Sequence, residues 1–277
     1  MSCELSAEMD KDELFKKIKL FLFDMDGTLY IGDRLFDFTP RLLETIKQNG
    51  GRYMFLTNNS SKSVNDYIKK LGVMGIKAVY DDFLTSSQAT AYLLKRDYPG
   101  KTLYVCGTRS LEEELEKEGF SLTRDTSRAE CIVMGYDTEL TYRKLYDVSY
   151  MLSTRDIPYI ATNPDYVCPT EFGSVPDCGS ICDMIFNATG KRPEVVGKPQ
   201  PLMPLLAMER AGCLPSETAV IGDRIYTDVK SGINAGAVSV LVMSGETTPE
   251  ILAESDIKPD IVLSSCAAFL SRAPGRN

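Results

Sequence analysis

The amino-acid sequence predicts an α/β fold: a doubly wound, Rossmann-like parallel sheet with a second α/β domain inserted into it. Three observations predict it. Apolar runs of strand length recur along the chain with helical patterns between them, the signature of parallel βαβ units. The 277 residues, 43% hydrophobic and 25% charged, are enough for one large domain or two ordinary ones with real cores. A Pro- and Gly-rich segment, Asn163 to Gly179, separates a middle set of strands and helices from a last one.

The first strand is Lys19 to Phe23 (KLFLF). Thr39 and Pro40 then supply an N-cap and a first helical residue, Leu42, Leu43 and Ile46 an apolar face, and Gly50 a stop. A strand follows at Tyr53 to Thr57. Ser63 opens a second helix with Val64, Tyr67, Ile68 and Leu71 on one face and Gly72 at its end, and this crossover completes a doubly wound beginning. The middle has its own units: strand Thr102 to Cys106, a helix from Ser110 with Glu113 as capping-box partner, strand Cys131 to Gly135, helix Tyr142 to Leu152 and strand Tyr159 to Thr162. Short strands then resume at Glu194 to Gly197, Ala219 to Gly222 and Ser239 to Met243, interleaved with helices that could finish the first sheet. The expected division is a core in two parts, residues 1–83 and 181–277, around an inserted domain at 84–180. No internal repeat or low-complexity segment occurs, and the C-terminal SRAPGRN is expected to fray.

Composition excludes several function classes. With 39 acidic and 31 basic residues the formal net charge is -8, which argues against nucleic-acid or membrane-surface binding and for small molecules or other proteins as partners. The chain has no histidine, so Ser-His-Asp and Cys-His hydrolases, histidine phosphatases and His-ligated zinc sites are excluded together. The eight cysteines (Cys3, Cys106, Cys131, Cys168, Cys178, Cys182, Cys213, Cys266) are scattered, form no C-x-x-C pair, and read as reduced, mostly buried thiols; the nearest two, Cys178 and Cys182, lack a second pair to complete a metal site. The N-terminal MSCELSAEMDKDELFKK is acidic without an apolar h-region, and no stretch approaches the roughly 20 apolar residues of a membrane span. The expectation is a soluble, cytoplasmic protein.

The chemistry concentrates at four strand ends. FLFDMDGTLY, Phe21 to Tyr30, runs an apolar strand straight into Asp24 and Asp26, with Gly27 free to turn the backbone. Carboxylates at a strand's carboxyl end lie in the crevice where open α/β sheets bind ligands, although Asp-Gly by itself is also an ordinary surface turn. Asp223 and Asp228 follow the apolar strand Thr218 to Ile221. If both strands share a sheet, Asp24 and Asp223 converge into an all-oxygen site suited to octahedral magnesium; alternatively, one of Asp223 and Asp228 caps a helix. Tyr53 to Leu56 delivers Thr57, Asn58, Asn59 and Ser60, donors able to hold phosphate oxygens or to form a turn. Glu194 to Gly197 delivers Lys198, which at a sheet edge carrying four aspartates would offset their charge and bind phosphate as a point charge.

In order and spacing, Asp24-x-Asp26-Gly-Thr, Thr57-Asn58-Asn59, Gly197-Lys198-Pro199 and Gly222-Asp223-Arg-x-x-x-Asp228 resemble the haloacid dehalogenase-like phosphatases. From Lys19 onward, including ATNPD (Ala161 to Asp165), the chain is similar to their NagD-like branch (subfamily IIA), with p-nitrophenyl phosphate, phosphoglycolate and pyridoxal phosphate phosphatases, in which an α/β cap of the C2 type is inserted into the core. The resemblance implies a hydrolase of small-molecule phosphomonoesters. Asp24 would be the nucleophile, forming an aspartyl-phosphate, and Asp26 the general acid and base. Thr57, Asn58 and Lys198 would hold the phosphoryl oxygens. The Asp24 and Asp223 side chains and the Asp26 carbonyl would ligate Mg2+, with Asp228 anchoring metal-bound water. Asp26 also fits phosphatases and mutases rather than dehalogenases, and the short stretch of about thirty residues from Asp24 to Thr57 leaves no room for a mutase cap. Specificity would come from the cap segment Asn163 to Glu171, with Asn163, Asp165 and Tyr166 as candidates. Where some pyridoxal phosphate phosphatases carry histidine, this chain has Tyr166, Val167 and Cys168, and Tyr166 either stacks on a substrate ring or packs. The resemblance also allows a homodimer through the cap.

Two rival readings come from other classes. Receiver domains of phosphoaspartate signalling share the sheet, the acids and the magnesium, but place adjacent acids on the first strand and the phosphoacceptor on the third, whereas Asp24 and Asp26 share strand one. A catalytically retired fold that only binds a phosphate ligand would not need every reactive position filled by a competent residue, as it is here.

Overall fold

The computed structural model describes residues 16–170 and 172–272. The N-terminal stretch with Cys3, Glu171 of the cap segment and the C-terminal residues 273–277 lie outside the described residues. In chain order the strands are β1 (Leu20–Phe23), β2 (Tyr30–Ile31), β3 (Arg34–Leu35), β4 (Arg52–Thr57), β5 (Phe83–Thr85), β6 (Leu103–Cys106), β7 (Cys131–Met134), β8 (Tyr159–Ala161), β9 (Val167–Thr170), β10 (Gly173–Pro176), β11 (Glu194–Val195), β12 (Thr218–Gly222), β13 (Val238–Val242) and β14 (Ile261–Leu263). They form a six-stranded sheet ordered β14-β13-β12-β1-β4-β5, a four-stranded sheet ordered β11-β8-β7-β6, and the hairpins β2–β3 and β9–β10. The described residues divide into two compact units, one of residues 16–56, 70–83 and 199–272, the other of residues 57–69, 84–170 and 172–198.

In the first unit, β1 pairs in parallel with β12 on one side and β4 on the other, placing Phe23 opposite Ile221 and Phe55. Parallel pairing continues from β12 to β13 and from β13 to β14. Leu20, Leu22, Phe23, Phe55, Ile221 and Val240 are all fully buried, because helices cover both faces of such a sheet and every second side chain is as apolar as its neighbour. The chain passes from β1 to β4 on one flank and returns to β12 on the other, so strand order reverses at β1. The carboxyl ends of β1 and β12 therefore form the switch point at which open α/β sheets bind ligands. The helix Thr39–Gln48 buries Leu42, Leu43 and Ile46 as its period requires, but Thr39 is not its N-cap: Phe38 is, and the Thr39 hydroxyl donates to the Leu29 carbonyl at 2.8 Å. The second helix runs Val64–Val73, one residue past Gly72, with Ser63 and Asp66 bonded reciprocally at its start.

The second unit is its own α/β layer. β6 pairs in parallel with β7, and β7 with β8. Its core joins Tyr104, Ile132 and Met134 to Val148 and Met151 of the helix Tyr142–Thr154 and to Ile181 and Ile185 of the helix Cys178–Thr189. The expectation that Glu194 to Gly197 extends the first sheet is corrected: β11 pairs with β8, Glu194 opposite Ile160 and Val195 opposite Ala161. The second unit accordingly reaches Lys198, and the Asn163 to Gly179 segment contains the β9–β10 hairpin. The helix Arg109–Lys117 starts ahead of Ser110, because the Thr108 hydroxyl accepts from the Leu111 amide and caps it.

The described cysteines are free thiols; Cys106, Cys178 and Cys182 belong to the second unit's core, as small hydrophobes do. No helix among the described residues is long and apolar enough to cross a membrane.

At the carboxyl edge of the second sheet Asp137 is completely buried, and Lys144 answers it: Nζ donates to Asp137 Oδ2 at 2.7 Å and to the Gly107 carbonyl at 2.8 Å. Removing one partner of a buried pair strands the other charge away from water. Lys144→Met should therefore cost about 3–5 kcal/mol in urea denaturation. Adding Asp137→Asn should recover much of that loss, because no charge is then left behind.

Candidate active site

The Asp24 amide donates to the Ile221 carbonyl at 2.8 Å, continuing the β1–β12 ladder one residue beyond β1 and fixing Asp24 at the strand end. The chain then turns tightly: the Leu29 amide donates to the Met25 carbonyl at 2.8 Å and the Gly27 amide to the Tyr30 carbonyl at 2.8 Å. Next door, β12 ends at Gly222, Asp223 follows, and a single π-helical turn, Ile225–Val229, brings Asp228 back under the strand end. Asp228 Oδ2 accepts from the Arg224 amide at 3.0 Å. Asp24, Asp223 and Asp228 each present a carboxylate oxygen within 4.8 Å of the others, and among the described residues this is the one such group of potential metal ligands. Asp24 is half-buried, while Asp223 and Asp228 are buried.

Glycines make this crowding possible. A Cβ on Gly27 would sit 2.4 Å from Asp223 Oδ2, one on Gly245 2.0 Å from the same oxygen, and one on Gly222 2.3 Å from Asp228 Cγ. Gly27 also has φ +79°, a conformation that side-chain-bearing residues rarely adopt. Within the cradle, Asp223 Oδ2 accepts from the Glu246 amide at 2.7 Å, and the Thr247 hydroxyl donates to the Asp223 carbonyl at 2.5 Å. The Ser244 hydroxyl donates to the Gly27 carbonyl at 2.7 Å, tying the segment after β13 to the turn after β1. Sequence reasoning missed this Ser244–Thr247 segment; its signal was Gly245, shortly beyond the apolar strand β13, as Gly27 lies shortly beyond β1.

Burial, then the neighbouring Asp228 carboxylate, push the Asp223 carboxyl up from 3.8 to about 6, against the opposing pull of the Glu246 amide and Arg224. Such a group of acids costs free energy at neutral pH without a cation. The donors are all carboxylate oxygens, with no imidazole or thiolate among them, which fits a hard divalent ion of the magnesium type. Asp26 is not in this group. Although much of the residue is open to solvent, atoms packed round its carboxyl remove enough water to raise its pKa; Lys70, the Gly32 and Gly27 amides and Arg224 oppose that rise.

In the second unit, Thr57 ends β4, is buried, and accepts at Oγ1 from the Asn59 amide at 3.2 Å. The side chain of Asn58, which the sequence offers as a phosphate donor, is engaged within the second unit. Its Nδ2 donates to the Lys198 carbonyl at 2.9 Å and to Asp165 Oδ2 at 3.1 Å, and its Oδ1 accepts from the Lys198 amide at 2.8 Å. Both amide protons are spent, so Asn58 positions the buried Lys198. Asn163 is likewise buried, donating to Asp165 Oδ2 at 3.2 Å and Asp177 Oδ1 at 3.1 Å, which makes Asn163 and Asp165 organisers of this network. Tyr166 alone of the three cap candidates is exposed, at 58%.

Known proteins resemble this chain over most of its length. A family model described as haloacid dehalogenase-like hydrolase matches residues 21–121, and a second, HAD-hydrolase-like, matches residues 195–269. An acid sugar phosphatase of Staphylococcus epidermidis is 33% identical over 244 residues, 88% of this chain and 93% of that protein. The crystal structure of 4-nitrophenylphosphatase from Thermotoga maritima superimposes with a TM-score of 0.89 at 39% identity, covering 93% of this chain and 98% of that one. NagD from E. coli K-12 superimposes with a TM-score of 0.82 at 29% identity, covering 90% and 97%. Similarity of this extent is common descent: the chain belongs to the haloacid dehalogenase-like hydrolase family, in its NagD-like branch.

Proposed function

We propose that the protein is a magnesium-dependent phosphatase of small-molecule phosphomonoesters that works through an aspartyl-phosphate on Asp24. The observation that carries this reading is the carboxylate group Asp24, Asp223 and Asp228, with ligand oxygens within 4.8 Å of one another at the β1–β12 switch point. Asp24 and Asp223 side chains and the Asp26 carbonyl would hold the ion, with Asp228 behind them. When bound, the dication offsets the repulsion between a phosphate dianion and an anionic nucleophile.

The chain's own residues then divide the work. An Asp24 carboxylate oxygen attacks phosphorus as the ester P–O bond breaks, giving an acyl phosphate. Asp26 hands its proton to the departing oxygen, and its raised pKa favours the protonated form that this needs. The Asp26 carboxylate next takes a proton from water, whose oxygen attacks the same phosphorus and returns Asp24 and inorganic phosphate. Thr57 and Lys198 are assigned to the phosphoryl oxygens on their match to the family's motifs, with Asn58 as the clamp that presents Lys198. The inserted residues 84–180 are assigned the role of a substrate-selecting cap. The names of the relatives, acid sugar phosphatase and 4-nitrophenylphosphatase, favour sugar and aryl phosphates as the substrate class.

Phosphate release from aryl and sugar phosphomonoesters should require magnesium and stop on chelation. Asp24→Asn should lose at least about 10³-fold in kcat while keeping the wild-type melting temperature, since the nucleophile goes but the shape stays. Asp26→Asn should lose about 10²-fold or more on esters with poor leaving groups. Parental turnover in Asp24→Asn would refute the assignment.

A stability experiment probes the ion without activity. With its pKa raised from 3.8 to about 6, Asp223 keeps a proton in the folded, metal-free protein that the unfolded chain has released, so stability falls as pH rises through that window. In chelator, Asp223→Asn should therefore melt higher than the parent at neutral pH, and the advantage should vanish below the window. Magnesium should raise the parent's melting temperature and leave that of the variant unchanged.

A further inference from the structure

The β2–β3 hairpin lies directly after the Asp24–Asp26 turn, and one side chain holds it from outside. Lys70, in the last turn of the helix Val64–Val73, places Nζ 4.4 Å from the centroid of the Tyr30 ring and 3.7 Å from Asp33 Oδ1. A single ammonium thus touches the hairpin's first residue and its Gly32–Asp33 turn. The two contacts are unequal. Asp33 is almost wholly exposed, and a pair with so open a carboxylate contributes little. Tyr30 is buried, and only a fifth of the Lys70 side chain reaches solvent, so the cation–ring contact is the stronger.

What Tyr30 holds is the acid/base segment. Tyr30 is bridged to Asp26, its carbonyl accepts from the Gly27 amide at 2.8 Å, and its amide donates to the Met25 carbonyl at 3.3 Å. Displacing the Tyr30 ring would shift the backbone that carries Asp26.

We propose that Lys70 is a positioning residue for the acid/base step: its ammonium, seated on the Tyr30 ring and against Asp33, fixes the β2–β3 hairpin and so keeps the Asp26 carboxyl where it can protonate the leaving oxygen. The inference rests on the role given to Asp26 under Proposed function. The step it serves is one proton moving from Asp26 to the ester oxygen as that oxygen leaves phosphorus and Asp24 takes its place.

The test uses leaving groups. 4-Nitrophenolate departs as a stable anion and needs little protonation, whereas an alkoxide needs a full proton, so a misplaced acid slows the alkyl ester selectively. The value of kcat/KM, which reports the steps through leaving-group departure, is measured for 4-nitrophenyl phosphate and for an alkyl phosphate with full-length Lys70→Met, Lys70→Arg and Asp26→Asn. Lys70→Met should lose about 10- to 100-fold on the alkyl ester and no more than about threefold on the aryl ester, and Lys70→Arg should restore the alkyl ester to within about threefold of the parent. Equal losses on both esters, or no loss, would overturn the positioning role. Should Lys70→Met not fold, Lys70→Gln provides the same comparison. Asp26→Asn separates the two claims: selective loss there without selective loss in Lys70→Met overturns Lys70 alone, while an unselective Asp26→Asn overturns the reading of Asp26 itself.

Discussion

Three carboxylates within 4.8 Å of one another, two of them buried, are the constraint around which the first unit is arranged. Such a group repels itself, and burial withdraws the water that would otherwise screen it. The chain tolerates it because the sheet dictates it. β1 and β12 are neighbours at the point where strand order reverses, and Asp24 and Asp223 each follow the last residue of their strand. The glycines at 27, 222 and 245 then let backbone close around the acids where any side chain would collide. A fold optimised for stability alone would not bury acids there. Under the proposed function, that cost is the one a site for a divalent ion and a phosphate would carry.

The second unit carries a buried polar network instead. Asn58 reads both backbone groups of Lys198 as another strand would, and shares Asp165 with Asn163. The clamp fixes the backbone from which the buried Lys198 side chain extends. Neighbouring Tyr166 remains open to solvent, so the same loop combines a rigid buried base with an exposed aromatic surface. Loops that carry function on a fixed scaffold commonly have this form.

Much of this was legible in the sequence, for identifiable reasons. LFLF and AVIG are apolar runs followed directly by an acid, and a parallel sheet buried on both faces writes itself that way. Helix starts were displaced by a residue where two hydroxyls compete for the cap, as at Thr108 and Ser110, and at Thr39, whose hydroxyl goes to Leu29 instead. β11 was assigned to the wrong sheet because a two-residue strand carries no mark of its partner; only its pairing with β8 decides. The β9–β10 hairpin, VCPT and GSVP, has prolines in both strands and no Asn-Gly turn to announce it. The role of Asn58 was not readable, since its partner is 140 residues away and the letters Thr-Asn-Asn-Ser serve turns and phosphate sites alike. Nothing in the sequence marks Lys70, because its ring partner Tyr30 lies on a different element.

The central claim is that Asp24 carries the phosphoryl group during turnover. It is tested most directly by acid-quenching the Asp26→Asn protein with magnesium and substrate and mapping the covalent phosphoryl group by peptide mass spectrometry. The account predicts that the group lies on Asp24 and disappears on treatment with hydroxylamine, as an acyl phosphate does. A phosphoryl group on Asp223, Thr57 or any other residue, or full turnover with Asp24 never modified, would contradict it.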